Sequence, residues 1–574
     1  MKKQSIPYIF VAIVIIIALV VIVLGNYIDK HTPSKKMVSK SELMEMYGLN
    51  HNGAIDSDKQ AAIILSNHLI ENQAMIEDGV VYLEYHFVKD ILNDKFYWDN
   101  NENLLLYTLP KDIVKVNVGS NTYEVTKTQN QVDYQIVKTN GTDVYIAMEF
   151  VKLYTDMEGD YYENPSRVVI NNTWNTEVDI ATANNSVKLR KSPKIKADIL
   201  HSIKDKTEVT ITETKGKWSY VYTKDGHFGY IQNSDLKNQT KKTLTSDFVY
   251  PDYTSNQMTG KVNLSWQVVT NQAANNQLVG LVTNANGLNV VAPQWYRLSD
   301  DEGNMTSFAD ANYVAVAHRM GLKVWAVVDD QSEKSNNANV FPYTSKREKL
   351  VNQLVADAIQ YNIDGINVDF EYIRPENADD YIQFIRELSV KCRMNGIVLS
   401  VDDKVPEASN EYYNLKAQGE VVDYVVIMGY DEHWGTDSGA GSVASLSWVT
   451  DGIIKTIADV DSSKVILAIP FYTRMWVEDL SGNLTEVQTI DMVTAQTTFA
   501  SWGVEPAWLD DCGQNYAEYT DDANAKTYRM WLEDATSIEK KLSLIGQYNL
   551  GGVASWRLGF ESSDIWNTII KYIN

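Results

Sequence analysis

Cysteine is nearly absent from these 574 residues, with only Cys392 and Cys512 present. Two thiols make no disulfide framework, and Cys392 reads as a buried helix residue. Basic residues are the scarcer charge, 51 Lys and Arg against 75 Asp and Glu, for a net charge of −24. That balance argues against a nucleic-acid partner, because such binding depends on neutralising phosphates with Lys and Arg. No Asp-x-Asp-x-Asp-Gly loop of the calcium-binding kind occurs. No small-x-small cleavage site follows the amino-terminal apolar run, which ends Val23-Leu24-Gly25-Asn26-Tyr27. A cleaved leader would have both that site and a shorter apolar core.

What is present begins with that run. Residues 6–24 are uncharged and mostly β-branched, and as a helix they reach across a hydrocarbon core of ~30 Å. We therefore expect 1–28 to be an uncleaved transmembrane signal-anchor. Lys2 and Lys3 favour a cytoplasmic amino end, against Lys30, Lys35 and Lys36 on the far side. Residues 29–42 read as a polar tether. The remaining length implies two to four domains.

The most informative segment is Asp364-Gly365-Ile366-Asn367-Val368-Asp369-Phe370-Glu371. As a β-strand it alternates its side chains between two faces. Asn367, Asp369 and Glu371 share one face, and Ile366, Val368 and Phe370 the other. A lone Asp-x-Glu is commonly a solvated strand end or a structural ion pair. The flanks argue otherwise, since helical patterns at 354–361 and 378–392 bracket the strand and place its acids at the carboxyl end. In a parallel α/β barrel, active sites lie at that end. Strand signals recur at 261–268, 287–296, 323–330, 364–371, 397–402, 422–430, 464–472 and 551–557, with helices between them. Eight such alternations predict a (β/α)8 TIM barrel over 258–574. The stretch 474–550 is too long for a loop, and we expect an inserted α+β subdomain there.

The segment resembles the glycoside hydrolase family 18 signature D-G-x-D-x-D-x-E. Every position matches except the middle Asp, which is Asn367 here, as in the spore-cortex and peptidoglycan N-acetylglucosaminidase branch. Strand six, with Met428, Tyr430 and Asp431, is similar to the family's M-x-Y-D motif. Tyr472 on strand seven and Trp556 on the last strand also match. The resemblance implies substrate-assisted retaining hydrolysis, in which the substrate's own N-acetyl oxygen attacks the anomeric carbon. It makes Glu371 the acid/base, Asp369 the partner of the acetamido N–H, and Tyr430 the donor to the acetamido oxygen. Asn367, Met428, Asp431, Tyr472 and Trp556 become substrate-binding candidates, with Trp556 flooring the reacting sugar's pocket. No metal or cofactor is implied. Glu533 is a weaker candidate for a subsite wall, and acids at an exposed helix start explain it equally well.

Upstream, Val81-Tyr82-Leu83-Glu84-Tyr85-His86-Phe87-Val88-Lys89 matches Val144-Tyr145-Ile146-Ala147-Met148-Glu149-Phe150-Val151-Lys152. Leu104 to Leu106 match Arg167 to Val169 at the same offset, with Trp98 opposite Tyr161, so 43–177 holds an internal repeat. Each copy reads as strand, helical turn and strand pair. It is similar to the stalk-like domains named after the amino-terminal domain of copper amine oxidases. No His cluster accompanies it, and no copper is inferred. Residues 181–237 are a run of short strands opening Leu189-Arg190 and closing Gly229-Tyr230-Ile231. They resemble bacterial SH3-like domains, whose family role is binding wall peptide or glycan, and a passive spacer is the alternative. Residues 238–257 read as a linker.

These readings converge on a single-pass cell-membrane protein with an extracytoplasmic catalytic domain, an N-acetylglucosaminidase acting on peptidoglycan. The alternatives are a chitinase or endo-N-acetylglucosaminidase acting on chitin or N-glycans, and a non-catalytic glycan-binding wall protein. Retention of Glu371 argues against the last.

Overall fold

The computed structural model describes residues 6–49, 59–332 and 336–573. Lys2 and Lys3, which favour the expected orientation, lie outside the described residues. Ile6–His31 form one helix, and Ile9–His31 are long and apolar enough to cross a membrane. The chain divides into two compact units. One comprises Met1–Phe96, Val116–Tyr123 and Gln129–Tyr250, and the other Tyr97–Lys115, Glu124–Thr128 and Pro251–Asn574.

The first unit contains two seven-stranded sheets. In one, the equivalent strands of the internal repeat, Val80–Glu84 and Asp143–Ala147, pair antiparallel, with Leu83 opposite Ile146. Each runs into a short helix, Tyr85–Phe87 or Met148–Lys152. Antiparallel pairing of equivalent strands is the arrangement a local twofold produces, so the sequence repeat is also a structural one. The other sheet holds the SH3-like strands around Leu189, Val209, Val221 and Ile231. It is extended by Glu177–Ala183 paired with Leu236–Thr243. Tyr222 and Phe228 of this sheet pack with Tyr47, Leu49 and Ile64, and the Tyr222 hydroxyl accepts from the Leu69 amide at 3.3 Å. These aromatics close a hydrophobic cluster and do not line an open groove.

The second unit is the barrel. Its strands are β1 (Val262–Gln267), β2 (Val290–Leu298), β3 (Lys323–Asp329), β4 (Gly365–Asp369), β5 (Val398–Lys404), β6 (Tyr424–Met428), β7 (Val465–Pro470) and β8 (Gly552–Trp556). All are parallel, and β8 pairs with both β7 and β1, closing the barrel. A Cβ at Gly552 would lie 2.1 Å from the Val262 carbonyl oxygen, so this closure admits only glycine. Inward side chains fill the lumen with Trp266, Trp325, Val327, Tyr424 and Val426, as a barrel interior requires. Outward Ile366, Val368 and Phe370 join the core beneath the helices.

Two features lie outside the repeating pattern. Between β7 and β8, residues Tyr472–Leu532 form a five-stranded antiparallel sheet with the helix Met492–Ser501, the expected insertion. The segment Tyr97–Lys115 packs on the barrel's helical layer. Asp99 accepts from the backbone amide and hydroxyl of Thr344, at 2.7 and 2.6 Å, where the helix Thr344–Tyr361 begins. A carboxylate there satisfies amides that no helical carbonyl reaches.

Candidate active site

The β4 segment behaves as its alternation predicts. Gly365 leaves room for Trp325, whose indole would lie 2.6 Å from a Cβ at that position. Asn367 and Asp369 point into the barrel and are buried. The Asn367 amide is fully engaged. Its Oδ1 accepts from Trp266 Nε1 at 3.0 Å, and its Nδ2 donates to Ser400 Oγ at 2.9 Å and Asp402 Oδ1 at 2.7 Å. Asp369 Oδ1 is buried and has no hydrogen-bond partner among the described residues. Burial, followed by the charges of Asp402 and Glu371, holds the Asp369 carboxyl well above the usual range.

Glu371 lies just past the strand, at the mouth, with a side chain 28% exposed and Lys404 Nζ 3.4 Å from its Oε2. Its loop is fixed from below by Asp330. That carboxylate accepts from the Glu371 amide at 3.1 Å and the Tyr372 amide at 3.0 Å, and from Asn337 Nδ2 at 2.6 Å. An open groove beside Glu371 is lined by Asp330, Gln331, Tyr372 and Arg374.

At the end of β6, Gly429 is pressed against β7, where a Cβ would lie 2.8 Å from the Ala468 oxygen. Tyr430 follows, edge-on to Tyr472 with ring centroids 6.2 Å apart. Burial first, then neighbouring Tyr472 and Asp369, pushes the Tyr430 hydroxyl far above its ordinary pKa, so it remains a donor. Asp431 adopts a left-handed φ of 63°. Its Oδ1 accepts from the Tyr472 hydroxyl at 2.6 Å and from Arg474 at 2.7 Å. Met428 is buried on the lumen side of β6. Trp556, at the end of β8, packs tilted on Trp266 with centroids 5.8 Å apart.

Asn367, Asp369, Glu371, Met428, Tyr430, Asp431, Tyr472 and Trp556 thus lie toward the carboxyl ends of β4, β6, β7 and β8. Glu533 does not join them. It is 1% exposed and paired with Lys541, itself 0% exposed, at 2.8 Å, and it also accepts from Gln514 and Ser537. It is a structural buried pair, neither a subsite wall nor a solvated helix start. Reading the sequence missed Asp330, Asp402 and Lys404. The first two were accessible to the same reasoning, since β3 ends in paired acids and alternation along Ser400-Val401-Asp402 directs Asp402 inward.

Asp403 takes the opposite face and is buried against Gln418, which donates to it at 3.1 Å. Burial pushes its carboxyl up to about 7. A raised folded-state value adds stability that is fully present below the unfolded pKa and lost as pH rises through about 7. Asp403→Asn is therefore expected to leave the melting temperature unchanged at pH 3.5 and raise it at pH 8. Equal effects at both pH values would contradict this assignment.

Comparison with known proteins identifies the domains that carry and precede this site. Residues 253–561 match Glycosyl hydrolases family 18, residues 185–237 the Bacterial SH3 domain, and residues 66–170 the Copper amine oxidase N-terminal domain. The uncharacterized glycosylase YvbX of Bacillus subtilis (strain 168) is 27% identical over 300 residues, covering 50% of this chain and 84% of that protein. The cortical fragment-lytic enzyme of the same organism is 29% identical over 237 residues, covering 40% of this chain and 54% of that protein. The chain therefore spans about half the length of the latter. The crystal structure of the Bacillus megaterium QM B1551 spore cortex-lytic enzyme SleL is 20% identical, with a TM-score of 0.49 over 58% of this chain and 78% of that one. The family match takes in all eight barrel strands and the carboxylates at their ends, more than half of the 574 residues, and on that basis the chain is a glycoside hydrolase and belongs to family 18.

Proposed function

We propose that this enzyme is a retaining N-acetylglucosaminidase of cell-wall peptidoglycan, working by substrate-assisted catalysis. The observation that carries the reading is Asp369, buried with an unpartnered oxygen beneath Glu371 and near Tyr430. A carboxylate left unpaired at depth is costly unless a ligand supplies the partner. The N–H of an acetamido group at C2 of the reacting sugar is such a partner, with Tyr430 donating to its oxygen. That oxygen then attacks C1 as Glu371 protonates the leaving O4. The bond to the leaving sugar breaks, and an oxazolinium forms with its charge beside Asp369. Glu371, now ionised, takes a proton from the water that opens the ring, and configuration is retained. Asn367, Met428, Asp431, Tyr472 and Trp556 shape the pocket.

Lys404 favours peptidoglycan over chitin. Cleavage after N-acetylglucosamine in peptidoglycan leaves N-acetylmuramic acid, whose O3 lactyl group, amide-linked to the stem peptide, stands next to the O4 that Glu371 protonates. Lys404 Nζ, 3.4 Å from Glu371, is placed to donate to the carbonyl of that lactyl amide, whereas chitin has only a hydroxyl there. A charge-assisted contact contributes about 1.5–3 kcal/mol. Lys404→Ala is thus expected to lower kcat/KM on peptidoglycan by about tenfold or more and to leave chitin oligomers within about threefold. Equal losses on both substrates would assign the enzyme to the chitin or N-glycan alternative.

The helix Ile6–His31 is read as a membrane anchor that leaves the barrel outside the cell. The repeat and SH3-like domains are read as a spacer and a wall contact.

A further inference from the structure

Asn367 poses a chemical problem. A substrate-assisted enzyme must let Asp369 change its proton content as positive charge appears on and leaves the reacting sugar. A neighbouring carboxylate can share a proton with Asp369, but an amide cannot. Nor does Asn367 reach Asp369 with a hydrogen bond. Both Nδ2 hydrogens are directed at β5, to Ser400 and Asp402, and its oxygen is taken by Trp266.

The missing carboxylate stands one strand over. Val368 is in register with Val401, so Asp369 and Asp402 are the next pair up the two strands. Parallel neighbours lie about 4.8 Å apart. Both residues face the lumen, and Asp402 is 2% exposed, with one oxygen held by Asn367 at 2.7 Å. We propose that Asp402 is the positioning residue for Asp369, holding the shared proton that position 367 cannot hold, with the Asn367 amide fixing Asp402 in place. This inference rests on the substrate-assisted reading of the site.

The surroundings favour one shared proton. The titratable groups around the pair are Glu371 on the β4 loop, Asp329 and Asp330 at the end of β3, and Tyr430, with Asp403 and Tyr381 behind the sheet. Asp329 is neutralised by Arg297, at 2.5 and 2.9 Å, and Lys404 sits on Glu371 at the rim. No cation among the described residues pairs with Asp369 or Asp402. Two buried carboxylates this close do not both ionise. In accord with this, burial raises both carboxyls well above the ordinary range, with the charge of Asp402 adding to it at Asp369 and those of Asp403 and Glu371 at Asp402.

The test compares full-length, detergent-solubilised wild type, Asp402→Asn, and the exchange Asn367→Asp with Asp402→Asn. Turnover of a chromogenic N-acetylchitobioside is followed against pH, together with binding of a chitobiose thiazoline, a stable analogue of the oxazolinium. Asp402→Asn is expected to lose about 10- to 100-fold in kcat, with KM within about threefold. Its acid limb should move to lower pH, because Asp369 no longer has a like charge beside it. The exchange is expected to recover kcat and return the limb toward wild type, because a carboxylate again adjoins Asp369. A limb and a thiazoline pH dependence unchanged by Asp402→Asn would overturn the proposal. So would a loss that the exchange fails to recover at equal melting temperature. Wild type that binds the thiazoline with the Asp402-dependent pH profile yet cleaves no N-acetylated substrate would uphold this inference and overturn the reading of function. Neither turnover nor binding in wild type would overturn both.

Discussion

Glu371→Gln is expected to lower kcat on any N-acetylated glycan by about 10³-fold or more while leaving substrate binding nearly unchanged. General acid catalysis contributes about 10²–10⁴-fold, and here one group serves as acid in the first half-reaction and base in the second. The amide preserves shape and loses only the proton. Glu371 is partly exposed at the mouth and held through its backbone by Asp330, so the substitution should not disturb folding. A leaving group that departs without protonation, such as a nitrophenol, should restore much of the first step and none of the second. A burst of nitrophenol followed by slow turnover is therefore the kinetic signature to seek. A loss below about tenfold would place the acid elsewhere, with Asp330, on the same groove, the first alternative to examine.

The second large effect concerns stability and lies away from the chemistry. Lys541→Ala leaves the Glu533 carboxylate buried without its cation, and breaking such a pair from one side costs about 3–5 kcal/mol. Glu533 is 1% exposed and Lys541 0%, so water does not screen the loss. The remaining donors, Gln514 at 2.6 Å and Ser537 at 2.7 Å, compensate the carboxylate only partly. The double variant Glu533→Gln with Lys541→Met removes both charges and should lie well above the single variant. Urea unfolding followed by Trp fluorescence measures the difference in the transition that contains the barrel. A single-variant loss under about 1 kcal/mol would mean that the site rearranges to admit water.

The fold was legible because a barrel repeats one signal eight times. Each strand is an apolar run bounded by a helix, and each predicted range contains or overlaps the strand found. Within β4 the period of two placed Asn367 and Asp369 in the lumen and Ile366 and Val368 against the helices. The missed residues share a physical reason. Asp330, Asp402 and Lys404 matter through what they meet on a neighbouring strand, and strand-to-strand register is set by barrel closure, not by any local pattern. Asp402 carries the right alternation, but only the pairing of Val368 with Val401 brings it level with Asp369. Glu533 failed as a reading for the converse reason. Acids at a helix start look solvated in sequence, and the lysine that accompanies Glu533 into the core is eight residues away, on the buried face of Ala535–Gln547. The aromatic SH3-like strands were ambiguous because alternate residues of a small barrel serve both core and surface. Packing of Tyr222 and Phe228 on Tyr47 and Leu49 resolves that locally.

The most direct test of the central claim is the identity of the bond that is cut. Purified peptidoglycan is digested with the full-length enzyme, the new reducing ends are reduced with borohydride, and the fragments are identified by mass. The account predicts N-acetylglucosaminitol ends from wild type and none from Glu371→Gln. Muramitol ends, or release from chitin oligomers with peptidoglycan left intact, would contradict it.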